Sequence, residues 1–113
     1  MANDRLPTEF WVMAQLRRFS AAGTGAYLIR RGDTERGTVI VRLVAPEGVR
    51  ILTQVRDMEG RLAWMGVKEG ATLPPDEADA YVDRAVARDS DVWVIEIEAD
   101  DSDNPFEGKV VDL

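Results

Sequence analysis

"YLIRRGDTERGTVIVRL", residues 27–43, decides how the sheet of this chain is read. Two runs of β-type residues, 26–31 and 38–44, flank "GDTERG", which begins and ends in glycine. So short a separator leaves no room for a crossover helix, so the two strands are read as an antiparallel hairpin. Asp33 suits the turn, because a turn aspartate accepts hydrogen bonds from backbone N–H groups just downstream. The same segment supports a second reading. Arg30, Arg31 and Arg36 form a candidate oxyanion site, since guanidinium forks bind carboxylate and phosphate in two-point fashion.

Working outward, "APEG" and "DMEG" separate two more strand-like runs, "VRILTQVR" from Val49 and "RLAWMGV" from Arg61. Gly66 interrupts the second of these. Upstream, Val12, Met13, Leu16, Phe19 and Ser20 share one face of a helix over Thr8–Ala22, with Thr8 as N-cap and Gly23 as left-handed C-cap. Downstream, "LPPDEADAYVDRAVARD" is a helix opened by proline and acid, with Ala78, Tyr81, Val82, Ala85 and Val86 on its buried stripe. "VWVIEIE", 92–98, is the last strand.

The element order α-β-β-β-β-α-β predicts an α+β fold. Its five-stranded, mainly antiparallel sheet has the order 5-1-2-3-4, with two helices on one face. Strand 92–98 is expected antiparallel to strand 26–31, with Arg30 and Arg31 facing Glu96 and Glu98. Residues 1–99 form the single domain, and 100–113 an acidic, flexible tail.

Composition narrows the chemistry. The 113 residues contain no cysteine and no histidine, which removes thiolate and imidazole catalysis and the usual zinc ligands. The net charge of −7 is unevenly spread: residues 1–56 carry a net +4 and residues 57–113 a net −11. No apolar run is long enough to span a bilayer, and Asp4 spoils a signal-peptide order, so a cytoplasmic protein is expected. No catalytic residues, cofactor or metal site are assigned. Glu96, Glu98 and Asp100 on one strand edge, with Asp101, Asp103 and Glu107 in the tail, are the acids a carboxylate-based metal-dependent enzyme would draw on, and the tail lacks an EF-hand order.

Phe10 and Trp11 fall off the core stripe of the first helix, and Trp64 lies on the strand expected at the sheet edge. Trp11 and Arg18, seven residues apart, share one side of the helix, with Arg17 on its flank. Trp11, Arg17 and Arg18 are therefore the candidate interaction surface of a small non-enzymatic binding or adaptor module, its partner another protein or a second copy. The alternative is anion or nucleic-acid-phosphate binding through the arginine-rich N-terminal half. The acidic whole disfavours nucleic acid.

Two blocks carry a resemblance. "LPTEFWVMAQLRRFSAAGTGAYLIRRGDTERGTVIVRL" and "RDSDVWVIEIE" resemble a family of small bacterial proteins known as domain of unknown function 1491. The likeness covers nearly all of residues 5–98. It is strongest in the E-F-W-V…L-R-R helix leading to R-R-G-D, and in the D-x-D-x-W-V-x-E-x-E strand. Ser90 stands where members commonly have proline. The resemblance implies a small intracellular protein of alphaproteobacterial type, and it brings no assigned activity or catalytic residues.

Overall fold

The computed structural model describes residues 6–100 and 104–111. Its elements run α1 (Thr8–Ala21), β1 (Ala26–Arg30), β2 (Val39–Ala45), β3 (Gly48–Arg56), β4 (Leu62–Gly66), β5 (Thr72–Leu73), α2 (Pro75–Arg88), β6 (Trp93–Glu98) and β7 (Lys109–Val111). All seven strands join one mixed sheet of order β1-β6-β2-β3-β4-β7, with β5 added beside β3.

Strand β6 does pair antiparallel with β1, Tyr27 opposite Glu96 and Leu28 opposite Ile95. The expected order 5-1-2-3-4 does not hold, because β6 lies between β1 and β2 and runs parallel to β2, Val41 opposite Ile95. The physical reason lies in β6 itself. Trp93, Ile95 and Ile97 enter one core cluster, and Val94 with the preceding Val92 enters the other. A strand apolar on both faces gains most by sitting inside a sheet. β1 is the edge instead, and its Tyr27 and Ile29 are exposed.

The helices cover opposite faces, not one. α1 places Val12 and Phe19 on a cluster with Val41, Leu43, Leu52 and Ile95. α2 places Ala78, Val82 and Ala85 on Ile40, Ile51 and Val94. Successive residues of β2, β3 and β6 thus feed alternate cores, and the sheet is the middle layer of three.

The cross-strand charges also differ from expectation. Arg30 is opposite Val94, and the ion pair to Glu96 comes from Arg42 on β2 at 3.2 Å, with Asp79 of α2 also on Arg42 at 2.9 Å. At the helix ends, Gly23 has φ +80° and Thr24 N–H donates to Phe19 O at 2.9 Å, the left-handed cap expected there. Thr8 is not the N-cap expected: Pro7 takes that position, with no side-chain cap bond, and Thr8 is the first helical residue. Its hydroxyl donates to Glu35 O at 3.2 Å and Gly37 O at 3.1 Å, tying the helix start to the 31–37 loop.

After β4 the chain turns through Val67–Gly70 with Lys68 (φ 53°), Glu69 (φ 60°) and Gly70 (φ +80°) all left-handed. Left-handed backbone costs an L-residue about 1–2 kcal/mol, part of which a glycine's larger unfolded-state entropy offsets. Glu69→Gly is therefore expected to stabilise the protein by about 0.5–1 kcal/mol in chemical denaturation.

The β3–β4 turn is held by Asp57. Its Oδ1 accepts N–H bonds from Glu59 and Arg61, each at 2.9 Å, and its Oδ2 meets Lys109 Nζ at 3.6 Å. The Arg61 N–H bond foremost, then the Glu59 N–H and Lys109, outweigh desolvation and hold this carboxyl below the ordinary aspartate range. A depressed folded-state pKa adds stability that is complete above the unfolded value and is lost as pH falls through the folded one. Asp57→Asn is expected to be less stable than wild type at neutral pH. Thermal melts should show the gap closing as pH falls from about 4 downward.

The segment 104–111, assigned from composition to a flexible tail, supplies Phe106 to the α1-side core and β7 to the sheet, Val110 opposite Trp64. Trp64 is consequently fully buried and β4 is not an edge. Asp101 and Asp103 lie outside the described residues.

Candidate functional site

Because β6 separates β1 from β2, the connection "RGDTERG" is not a hairpin loop. It must straddle the start of β6, and its residues are explained by that task. Asp33 N–H donates to Asp91 O at 3.0 Å, Trp93 Nε1–H donates back to Asp33 O at 2.6 Å, and Trp93 N–H donates to Thr38 O at 2.8 Å. The Asp33 carboxylate accepts N–H bonds from Glu35 at 3.1 Å and Arg36 at 2.9 Å, the turn role expected of it. Gly32 and Gly37 press on the same strand. A Cβ on either would overlap Asp91 O and lie 2.7 Å from Trp93 Cδ1. Neither has a positive φ, so close approach, and not backbone permissiveness, is what calls for glycine.

Two of the three candidate oxyanion arginines fasten this bridge. Arg30 Nη1 donates to Ser90 O at 2.9 Å, Val92 O at 2.8 Å and Arg31 O at 3.2 Å. Arg31 pairs with Glu9 of α1, and its guanidinium carbon stands 5.2 Å from the centroid of Trp93. Arg36 is exposed.

The three candidate contact residues also part company. Trp11 is partly buried in an aromatic cluster, 5.8 Å from Trp64 and 5.7 Å from Phe106 between ring centroids. Arg18 lies over Phe19 at 4.3 Å and its Nη2 donates to Gln15 Oε1 at 2.8 Å and to Pro105 O at 3.4 Å. Both hold the 104–107 segment against α1, and Trp64 Nε1–H donating to Glu107 O at 3.0 Å does the same from the sheet. Arg17 is exposed.

Sequence reasoning missed the apolar groups that do face solvent on β1. Tyr27 is 47% and Ile29 50% exposed, while Ala26 and Leu28, alternating with them, pack against the α1-side core. "AYLIR" gives no such signal: residues 26–29 are all apolar, with neither the polar alternation nor the charge by which edge strands are commonly marked. Phe10 (63%) and Leu6 (57%) are also exposed, at the start of α1. Among the described residues no group of three or more acids is close enough to hold a metal ion, and Glu96 is engaged by Arg42. No helix among them is long and apolar enough to cross a membrane.

The structure thus defines a three-layer protein in which a mixed sheet is pinned by an arginine-glycine bridge. The chain belongs to the family described as protein of unknown function DUF1491, whose model matches residues 6–107. A crystal structure of a DUF1491 family protein from Caulobacter crescentus is similar, with 32% identity over 95% of this chain and 100% of that one, at a TM-score of 0.82. An NMR structure of a DUF1491 family protein from the same organism shares 37% identity over 94% of this chain and 96% of its own, TM-score 0.78. The solution structure of protein Atu0922 from A. tumefaciens shares 29% identity over 86% and 88%, TM-score 0.69. No curated protein matches the chain.

Proposed function

We propose that this protein is a small non-enzymatic binding module that works through protein–protein contact at the outer edge of β1. One observation carries the reading: the edge strand exposes two large apolar side chains, Tyr27 and Ile29, beside a row of backbone groups with no strand alongside among the described residues. Such an edge is a template for a further strand, with backbone bonds giving affinity and the alternate side chains giving selectivity. Of the surface first read from α1, Arg17 is available as a flanking contact. Trp11 and Arg18 contribute by keeping the 104–107 segment in place. The anion reading is the less favoured, because Arg30 and Arg31 have their guanidinium groups engaged within the bridge.

The test uses the intact protein as bait in an alphaproteobacterial extract, beside Ile29→Lys. Exposed side chains carry little stability, so the variant is expected to melt within a few degrees of wild type. Wild type should retain a defined set of proteins that Ile29→Lys loses. Identical retention by the two baits would overturn the reading.

A further inference from the structure

We propose that residues 104–111 form a releasable strap: the segment opens as a unit from α1 and β4 while the rest of the fold stays intact. In opening it uncovers an aromatic seat and the outer edge of β4. The inference is independent of the contact reading placed on β1. Three observations carry it.

The first is that the strap is closed on itself. The Asn104 carboxamide accepts the Phe106 N–H at 3.0 Å and donates to Gly108 O at 3.2 Å, across a turn that Gly108 completes at φ +102°. These bonds lie within the segment, so they survive its departure. A turn that keeps its own hydrogen bonds leaves as one piece and does not fray residue by residue.

The second is that its attachments to the body are slight. β7 is three residues long, short for a strand, and among the described residues it pairs with β4 alone. Phe106 is the one fully buried side chain of residues 104–111, and Val110 is partly buried beside the same cluster. The polar fasteners are Arg18 Nη2 to Pro105 O at 3.4 Å, Trp64 Nε1–H to Glu107 O at 3.0 Å and Lys109 Nζ to Asp57 Oδ2 at 3.6 Å. The first is long for a hydrogen bond, and the last holds a lysine whose side chain is 61% exposed, so water competes for both.

The third is that the body is complete without the strap. β4 keeps its ladder to β3, from Leu52 opposite Gly66 to Arg56 opposite Leu62, and the sheet path β1-β6-β2-β3-β4 is unbroken. α1 keeps Val12 and Phe19 on Val41, Leu43, Leu52 and Ile95. Opening therefore gives up one aromatic contact set and a short ladder, far less than unfolding the sheet. What it uncovers is defined: the rings of Trp64 and Trp11, against which Phe106 packs, and the β4 backbone that faces β7. The strap thus switches this end of the sheet between a capped and an open edge.

The test is native-state hydrogen exchange of the full chain, followed by NMR at a series of sub-denaturing guanidinium concentrations. The Trp64 indole N–H, held by Glu107 O, reports the strap directly, together with the ladder amides between β4 and β7. The β6 amides report the body. The strap group is expected to exchange together, with protection at least about tenfold lower than that of the β6 amides and a weaker dependence on denaturant. The chain has no cysteine, so Met65→Cys combined with Val111→Cys, directly opposed across the ladder, gives a strap that oxidation locks. Locking is expected to raise the protection of the strap group to that of β6, and reduction to restore the wild-type difference. A strap group that matches β6 in both protection and denaturant dependence overturns the proposal, as does one whose exchange the lock leaves unchanged. Should the disulfide not close, the wild-type comparison decides alone.

Discussion

Gly37→Ala is expected to lower the unfolding free energy by about 3 kcal/mol, the upper end of the usual overpacking cost. The added methyl has nowhere to go. It would overlap the Asp91 carbonyl and lie 2.7 and 2.9 Å from Trp93 Cδ1 and Nε1. Backbone atoms cannot rotate away as a flexible side chain would. Moving the loop outward would break the Trp93 Nε1–H bond to Asp33 O and the Gly37 N–H bond to the same oxygen. Gly32→Ala meets the same carbonyl and ring edge and should cost a comparable amount. Gly60→Ala, where a Cβ meets nothing within 4 Å but φ is +80°, is the control for backbone strain alone, about 1 kcal/mol. Urea denaturation of the three variants separates the two causes. Equal losses at Gly37 and Gly60 would mean that the loop does not ride on β6.

Phe106→Ala should cost about 3–5 kcal/mol, the range for emptying a buried aromatic site. Phe106 is buried, with its ring centroid 4.9 Å from that of Trp64, 5.4 Å from Phe19 and 5.7 Å from Trp11. Its removal opens a cavity between α1 and β4. The neighbouring fasteners, Arg18 to Pro105 O and Trp64 to Glu107 O, then act on a segment without its anchor. Denaturant unfolding and near-ultraviolet circular dichroism, which reports tryptophan packing, both register the loss. A variant as stable as wild type would mean that 104–111 is an appendage.

These two sites also mark where the sequence was legible and where it was not. Both helices and the strands from β1 to β4 and β6 follow from local periodicity and turn chemistry, and so did the antiparallel pairing of β6 with β1. The order went astray at one inference, that a short glycine-flanked loop joins neighbouring strands. "GDTERG" has the composition of a hairpin turn, and nothing local says that a third strand passes beneath it. The telling stretch is "VWVIEIE", whose Val92 and Val94 are as apolar as Trp93 and Ile95. A half-solvated edge strand would alternate with polar residues there, and only Glu96 and Glu98 do so. Moving that strand inside the sheet also requires a helix on each face, because both faces of β6 then need cover. At the C-terminus, the acids in "DDSDNPFEG" outvoted Phe106, the one large apolar residue in that stretch.

The candidate site was legible in part. The arginines at 30, 31 and 36 drew notice as a cluster, but their partners are the carbonyls of Ser90 and Val92, the Glu9 carboxylate and the Trp93 ring, brought in from distant sequence. Trp11 looked unpartnered on a helical wheel because its neighbours Trp64 and Phe106 arrive from β4 and the chain end. Tyr27 and Ile29 give no local sign of exposure, because a hairpin places β2 along the side of β1 that the actual order leaves at the edge.

The bridge arginines serve architecture, with Arg30 on the carbonyls of Ser90 and Val92 and Arg31 on Glu9. Arginine side-chain NMR tests this role most directly, following the Nε–H signals during titration with inorganic phosphate. No saturable change is expected for Arg30, Arg31 or Arg36 at millimolar phosphate, because the Nη groups of Arg30 and Arg31 are already engaged. Saturable shifts shared by Arg30, Arg31 and Arg36 would contradict it and make the bridge an anion site.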